Sequence, residues 1–197
     1  MKYFVAYLLK GDAAQYHRAL TQELSARFRT TPIHEKIAPH ITVKIPFEAN
    51  EYEIRQVEER LDVFTREQKP ENVLLEGFGH FGFKTAYMNV VKSRGAVLLV
   101  RDCISDLNTL SWMQQVTHEG NKLHASVARF MKYRQFRRVW RHLKNEHPHY
   151  KERLDSIAIL KKQHGQRAWS MHKEFDLYVP ESQRVSTQHF TQLVPSS

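Results

Sequence analysis

The chain has 197 residues, 41% of them hydrophobic, enough to bury the core of one compact domain or of two closely packed lobes. It carries no apolar run long enough for a membrane-spanning helix. Its 1 cysteine, Cys103, excludes a disulfide framework and a cysteine-based metal site, so a reducing cytoplasm is the expected location. A formal charge of +9, from 30 Lys and Arg against 21 Asp and Glu, favours a polyanionic partner such as RNA or a nucleotide.

Met1-Lys2-Tyr3-Phe4 enters an alternating strand, Lys2 to Leu9, instead of a signal-peptide apolar block. Asp12 with Gln15 resembles a capping box ahead of Tyr16, Leu20, Leu24 and Phe28 at helical spacing. The irregular stretch Arg29 to Pro39 leads into a strand at Ile41 to Phe47. Asn50 with Glu53 repeats the capping device before Ile54, Val57, Leu61 and Phe64. Strands are expected next at Asn72 to Gly77 and Thr85 to Val91, then a helix after Gly95 that lines up Val100, Cys103, Ile104 and Leu107. A second irregular stretch, Ser111 to Lys122, precedes a strand at Leu123 to Phe130; both irregular stretches are candidate cleft rims. A helix beginning near Arg134 packs Phe136, Val139, Trp140 and Leu143 and turns Arg134, Arg137, Arg138, Arg141 and Lys144 to solvent. The last strands fall at Ser156 to Lys161 and, beyond a turn at Gly165, at Ser170 to Tyr178. From Pro180 the composition turns polar, and residues 180–197 read as a loosely docked tail with Phe190 and Leu193 as its only anchors.

One phrase occurs twice: His40-Ile41-Thr42-Val43 and His124-Ala125-Ser126-Val127. In a strand, residues i and i+2 share a face, so each phrase aims an imidazole and a hydroxyl at one surface while its apolar partners point into a core. Laying one phrase on the other also brings Tyr3–Leu9 onto Tyr87–Ser93, the helix near Asn50 onto that near Arg134, and Val73-Leu74-Leu75 onto Ile157-Ala158-Ile159. This is an internal repeat of element order: strand, helix, histidine strand, helix, strand. It divides a single bilobal domain, 1–179, into lobes assembled from repeats of about 1–82 and 83–179, each with its histidine on a central strand.

The paired histidine, apolar, Thr/Ser, apolar motif resembles the two-histidine phosphoesterase superfamily, which includes the 2'-5' RNA ligase-like proteins and the 2',3'-cyclic phosphodiesterases. The four-residue motif is weak alone; its pairing, spacing and element order carry the resemblance across roughly residues 1–179. The second copy is followed by Ala128-Arg129, as in many ligase-like members. The resemblance implies an α+β, bilobal fold of pseudo-duplicated antiparallel sheets with outer helices and an active site in the central cleft.

The residues support that chemistry independently. Opening a cyclic phosphodiester needs a base for the nucleophile's proton and an acid for the departing sugar oxygen, roughly in line across phosphorus. Histidines 40 and 124 are the candidate catalytic pair, because an imidazole near pKa 6.5 serves either role. Thr42 and Ser126 are the candidate phosphate-binding donors. Most of the 12 histidines need no function, and a lone His-x-Thr would be ordinary strand sequence; duplication is what singles out His40 and His124.

The remaining candidates compete with plainer accounts. Lys44 shares the outward face of His40 and Thr42 in an ideal strand and would extend the anion site, although a solvated strand lysine is as economical. His80, between Gly79 and Phe81, reads as a turn residue or a substrate contact, and Phe78 and Phe83 as core residues or base-stacking platforms. Arg129 points away from Ser126 in an ideal strand, towards a structural or rim role. No carboxylate cluster or His-Glu-x-x-His spacing accompanies the pair, so neither a metal nor another cofactor is required. The expected activity is a metal-independent phosphodiesterase opening a 2',3'-cyclic phosphate of RNA or a related cyclic nucleotide, with reversible 2'-5' ligation when a 5'-hydroxyl replaces water. No obligate protein partner is indicated. The alternative is an RNA- or nucleotide-binding module with little turnover.

Overall fold

A computed structural model describes residues 1–116, 120 and 122–178. The tail at 180–197 and part of the Ser111 to Lys122 connection lie outside the described residues. The elements run β1 (Lys2–Leu8), α1 (Gly11–Phe28), a 3₁₀ turn (Ile33–Glu35), β2 (His40–Glu48), α2 (Glu51–Glu67), β3 (Glu71–Phe81) and β4 (Thr85–Lys92). They continue with α3 (Arg94–Leu107), β5 (His124–Ala128), α4 (Tyr133–Leu143), β6 (His149–Leu154), β7 (Ser156–Lys162) and β8 (Ser170–Asp176).

The strands form two antiparallel four-stranded sheets, ordered β2-β1-β7-β8 and β5-β4-β3-β6. The architecture is α+β with pseudo-duplicated sheets. Neither sheet comes from one half of the chain: β7 crosses from the second half to pair with β1, and β3 from the first half pairs with β4. The histidine strands are also not central, since β2 and β5 are edge strands. Those two edges lie in contact and form the seam between the lobes.

Alternation along β1 explains how one strand serves two environments. Tyr3, Val5 and Tyr7 join the large core that the helices cover, whereas Phe4 and Ala6 face the other way with Ala158 and Leu160. Trp169 and Ile37 pack on that second cluster. Polar ties also bridge the sheets. Tyr7 donates to Glu152 on β6 at 2.5 Å inside the core, and burial raises the Tyr7 pKa. Lys10 pairs with Asp155 at 2.6 Å.

Several local expectations need correction. The expected Asp12 cap is absent: α1 begins at Gly11 with Lys10 at the N-cap, and Asp12 sits in the first turn. Strand β3 does not stop at Gly77, whose φ of +61° accommodates a bulge where Leu75 faces Val90 and Phe78 faces Met88. Strand β6 had no sequence expectation because its apolar residues are few. It is a charged edge strand whose inward positions are taken by Glu152 and Leu154.

The capping box of α2 is present as expected, with Asn50 Oδ1 accepting from Tyr52 and Glu53 N–H and Glu53 accepting from Asn50 N–H. Asn50→Ala is expected to lower unfolding free energy by about 1 kcal/mol, read by urea denaturation. An unchanged midpoint would show that the box adds nothing to this helix.

Candidate active site

The two histidine strands carry the same irregularity at the same place. Along β2, Thr42 faces Ala6 and Lys44 faces Val5; along β5, Ser126 faces Tyr87 and Ala128 faces Ala86. One residue is therefore extra in each strand, and Val43-Lys44 and Val127-Ala128 are buried as successive pairs. The slip reverses the alternation that follows it. The face begun by His40 and Thr42 is resumed by Ile45, and that begun by His124 and Ser126 by Arg129.

This slip corrects two expectations. Lys44 does not extend the anion site: it is fully buried, and its Nζ donates to Asn108 Oδ1 and the Gln114 carbonyl, both at 2.9 Å. Arg129, placed by ideal alternation on the opposite face, lines the cleft with Ser126. The Gly77 bulge has the same effect on β3. Phe78 packs against the main core, and the His80 ring sits edge-on to Phe136 and Trp140 at 5.2 and 4.7 Å. Neither lines the cleft; Phe81 does. Phe83 instead meets Tyr133 edge-on at 6.0 Å.

His40, Thr42, His124, Ser126 and Arg129 converge on one cavity of about 540 Å³. Phe4, Trp169 and Phe81 supply much of its apolar wall. The His40 ring lies edge-on to Phe4 at 5.3 Å, and the His124 ring edge-on to Phe81 at 4.9 Å. Lys122 Nζ, also lining the cavity, stands 5.0 Å from the centre of the Tyr87 ring.

Both imidazoles are held alike. His40 Nδ1 meets the Ala38 carbonyl at 2.8 Å and His124 Nδ1 the Lys122 carbonyl at 3.0 Å. A carbonyl only accepts, so each Nδ1 bears hydrogen, and in the neutral ring Nε2 keeps its lone pair. Desolvation by the enclosing protein lowers the His40 pKa to about 4, with His17, Arg129 and His124 adding repulsion. Burial also lowers the His124 pKa, with Arg129 and Lys122 acting in the same direction. The cleft thus sets two neutral imidazoles beside a guanidinium.

A third histidine supports the site from behind. His17 on α1 is buried, and its Nε2 donates to the Ser126 carbonyl at 2.9 Å, joining the first half of the chain to the second at a motif residue. No sequence pattern singles it out, because it stands among helical residues with no partner phrase. Arg129 was hidden only by the bulge.

A family model described as the 2'-5' RNA ligase superfamily matches residues 12–166. The chain belongs to the 2'-5' RNA ligase superfamily. Solved structures similar to this superfamily member include E. coli LigT complexed with 3'-AMP, at TM-score 0.64 and 13% identity, covering 89% of this chain and 97% of that one. TT0787 of Thermus thermophilus gives TM-score 0.60 at 14% identity over 90% and 98% of the two chains. Kluyveromyces marxianus Usb1 gives 0.51 at 15% over 89% and 98%. At these identities the likeness is one of fold. A search of curated protein sequences returned no significant match.

In this superfamily member, the buried His17 couples acidity to stability. Its pKa falls from 6.5 to about 4 on folding, chiefly by desolvation, so the unfolded chain binds the proton more readily. The neutral ring's contribution is complete above pH 6.5 and is lost as pH falls towards 4. His17→Gln retains an Nε2 donor without titrating. Its unfolding free energy should fall less steeply across that window, by about 1.4 kcal/mol per pH unit. Urea titrations at stepped pH would read the difference, and identical slopes would remove His17 as the titrating group.

Proposed function

We infer that the protein is a metal-independent phosphodiesterase that opens 2',3'-cyclic phosphates of RNA or related cyclic nucleotides by two-histidine acid–base catalysis. The observation that carries this reading is the pair of Nδ1-anchored imidazoles in one cavity, each with a hydroxyl residue two positions on. E. coli LigT, similar in fold, has been solved with 3'-AMP and with phosphate, ligands of the kind such a site would hold.

The phosphate sits between the two Nε2 atoms, with Thr42 and Ser126 donating to its non-bridging oxygens and Arg129 supplying fixed positive charge. One imidazole takes a proton from water as its oxygen attacks phosphorus. The other, protonated, gives its proton to the departing ribose oxygen, leaving a phosphomonoester and a free hydroxyl. Because both rings are neutral before substrate enters, the acid gains its proton when the substrate anion arrives and raises the pKa of the ring it touches. The ring that takes this proton acts as the acid, and the other, still neutral, acts as the base. With a 5'-hydroxyl attacking phosphorus in place of water and the ribose 3'-oxygen departing with the acid's proton, the same groups join RNA ends through a 2'-5' linkage, and the reverse of that step re-forms the cyclic phosphate.

Among the described residues, no group of three or more His, Cys, Asp or Glu is placed to hold a metal ion, and no step is assigned to one. Turnover should survive chelation. His40→Ala or His124→Ala should each reduce kcat by about 10²–10⁴-fold, and the double variant should lose far less than the product of the two. Thr42→Val and Ser126→Ala should each cost about tenfold to a hundredfold with little change in stability. A product-resolved assay across mononucleoside cyclic phosphates, 2'-5'-linked oligonucleotides and RNA ending in a cyclic phosphate, with EDTA present, reads all of these. Near-normal turnover by a folded single histidine variant would overturn the mechanism.

Calorimetric titration with inorganic phosphate at neutral pH should show net proton uptake, seen as a dependence of the apparent enthalpy on buffer ionisation enthalpy. Zero uptake would overturn the proposed protonation on loading.

A further inference from the structure

A second cavity, of about 870 Å³, adjoins the first and shares His40, Ser126 and Arg129 with it. Three distant segments build it: residues 31–37, the end of β5 through Phe130, and the β7–β8 hairpin. A hydrogen bond of 2.7 Å from Trp169 N–H to the Lys36 carbonyl joins the first segment to the third. Lys36, Lys162 and Arg167 line it, with Glu35 the one carboxylate among its lining residues.

Phe130 is the second observation. Two non-glycine residues among those described have positive φ, Arg29 and Phe130. Arg29 is accounted for as the C-cap of α1, its N–H bonded to the Ser25 carbonyl. Phe130, at φ +58°, caps no helix, and the residue is 75% exposed. A bulky residue in the left-handed region stores strain that packing normally offsets. Here the next residue, Met131, is anchored, buried and bonded through its N–H to the Lys84 carbonyl, while the phenyl ring is left at the cavity rim. The Arg129 guanidinium lies 5.1 Å from the centre of that ring.

Resting on the activity inferred above, we propose that this second chamber binds the nucleotide adjoining the reacting one in a single-stranded RNA. Phe130 stacks on its base, and Lys36, Lys162 and Arg167 hold its phosphates. A mononucleoside cyclic phosphate fills only the first cavity. A single strand fits the second because its bases are unstacked and free to lie on an aromatic ring, whereas duplex bases are not.

Phe130→Gly is the decisive variant, since glycine accepts positive φ while removing the ring. Its melting temperature should be no lower than that of the wild type. Its kcat/KM on short RNA ending in a 2',3'-cyclic phosphate should fall about tenfold, with kcat/KM on a mononucleoside 2',3'-cyclic phosphate unchanged. Lys162→Ala with Arg167→Ala should show the same split and reduce the salt dependence of RNA binding by about 0.7 in log–log slope for each phosphate no longer neutralised. Equal losses on both substrates, or none on RNA, would overturn the subsite. Fluorescence anisotropy with an unreactive RNA bearing a 3'-phosphate separates the two inferences. Should the wild type open neither ester, the catalytic reading fails, while a tenfold affinity loss in Phe130→Gly still supports the subsite and an unchanged affinity rejects it. Equal affinity for duplex and single-stranded RNA would also reject it.

Discussion

An extended strand shows successive side chains to opposite faces, and a bulge lets two neighbours turn the same way. Strands β2 and β5 each contain one immediately after the hydroxyl of the histidine phrase, and β2 contains a second between Lys44 and Phe47. What each histidine strand brings to the cleft after its phrase depends on that extra residue. Without it, Arg129 would enter the core beside Val127, where an unpaired guanidinium is intolerable, and Lys44 would stand in the cleft. With it, one strand contributes isoleucine and the other arginine at equivalent places. Two strands of the same shape therefore make a site with unequal walls.

The sheet seam adds the electrostatic half of the site. Edge strands normally present unpaired backbone to solvent, but β2 and β5 lie against each other, so the imidazoles between them lose water without losing access to a ligand. Desolvation lowers both pKa values, and the carbonyls of Ala38 and Lys122 fix the same ring nitrogen in each. His17 reaches Ser126 from α1, so the second motif is held by a helix of the first half.

Periodicity made the helices and the two motifs legible. Ile54, Val57, Leu61 and Phe64 repeat at helical spacing and are buried as that spacing implies, and Asn50 with Glu53 caps them. His40 with Thr42 and His124 with Ser126 needed only alternation over three residues, too short a span for a bulge to intervene. Lys44 and Arg129 follow bulges, where alternation gives the opposite face, and Phe78 and His80 follow the Gly77 bulge, past which the strand was not expected to run. Hydrogen-bond register decides those positions, and it depends on a partner strand remote in sequence. Strand β6 escaped notice for another reason: its Glu152 is buried through Tyr7, a contact no local pattern announces.

The exchange of β3 and β7 between the sheets bears on how the chain acquires its structure. During synthesis, β1 and β2 emerge early, but the other neighbour of β1 is β7, at Ser156–Lys162, and the first sheet is incomplete until it arrives. In the interval β1 exposes an open hydrogen-bonding edge and the apolar side chains of Phe4 and Ala6. Long-range pairing of this kind slows folding and leaves a nascent chain vulnerable to association with its neighbours. A split between the two repeats would separate strands that pair with one another, so the sequence repeat marks a boundary at which neither fragment can close its own sheet.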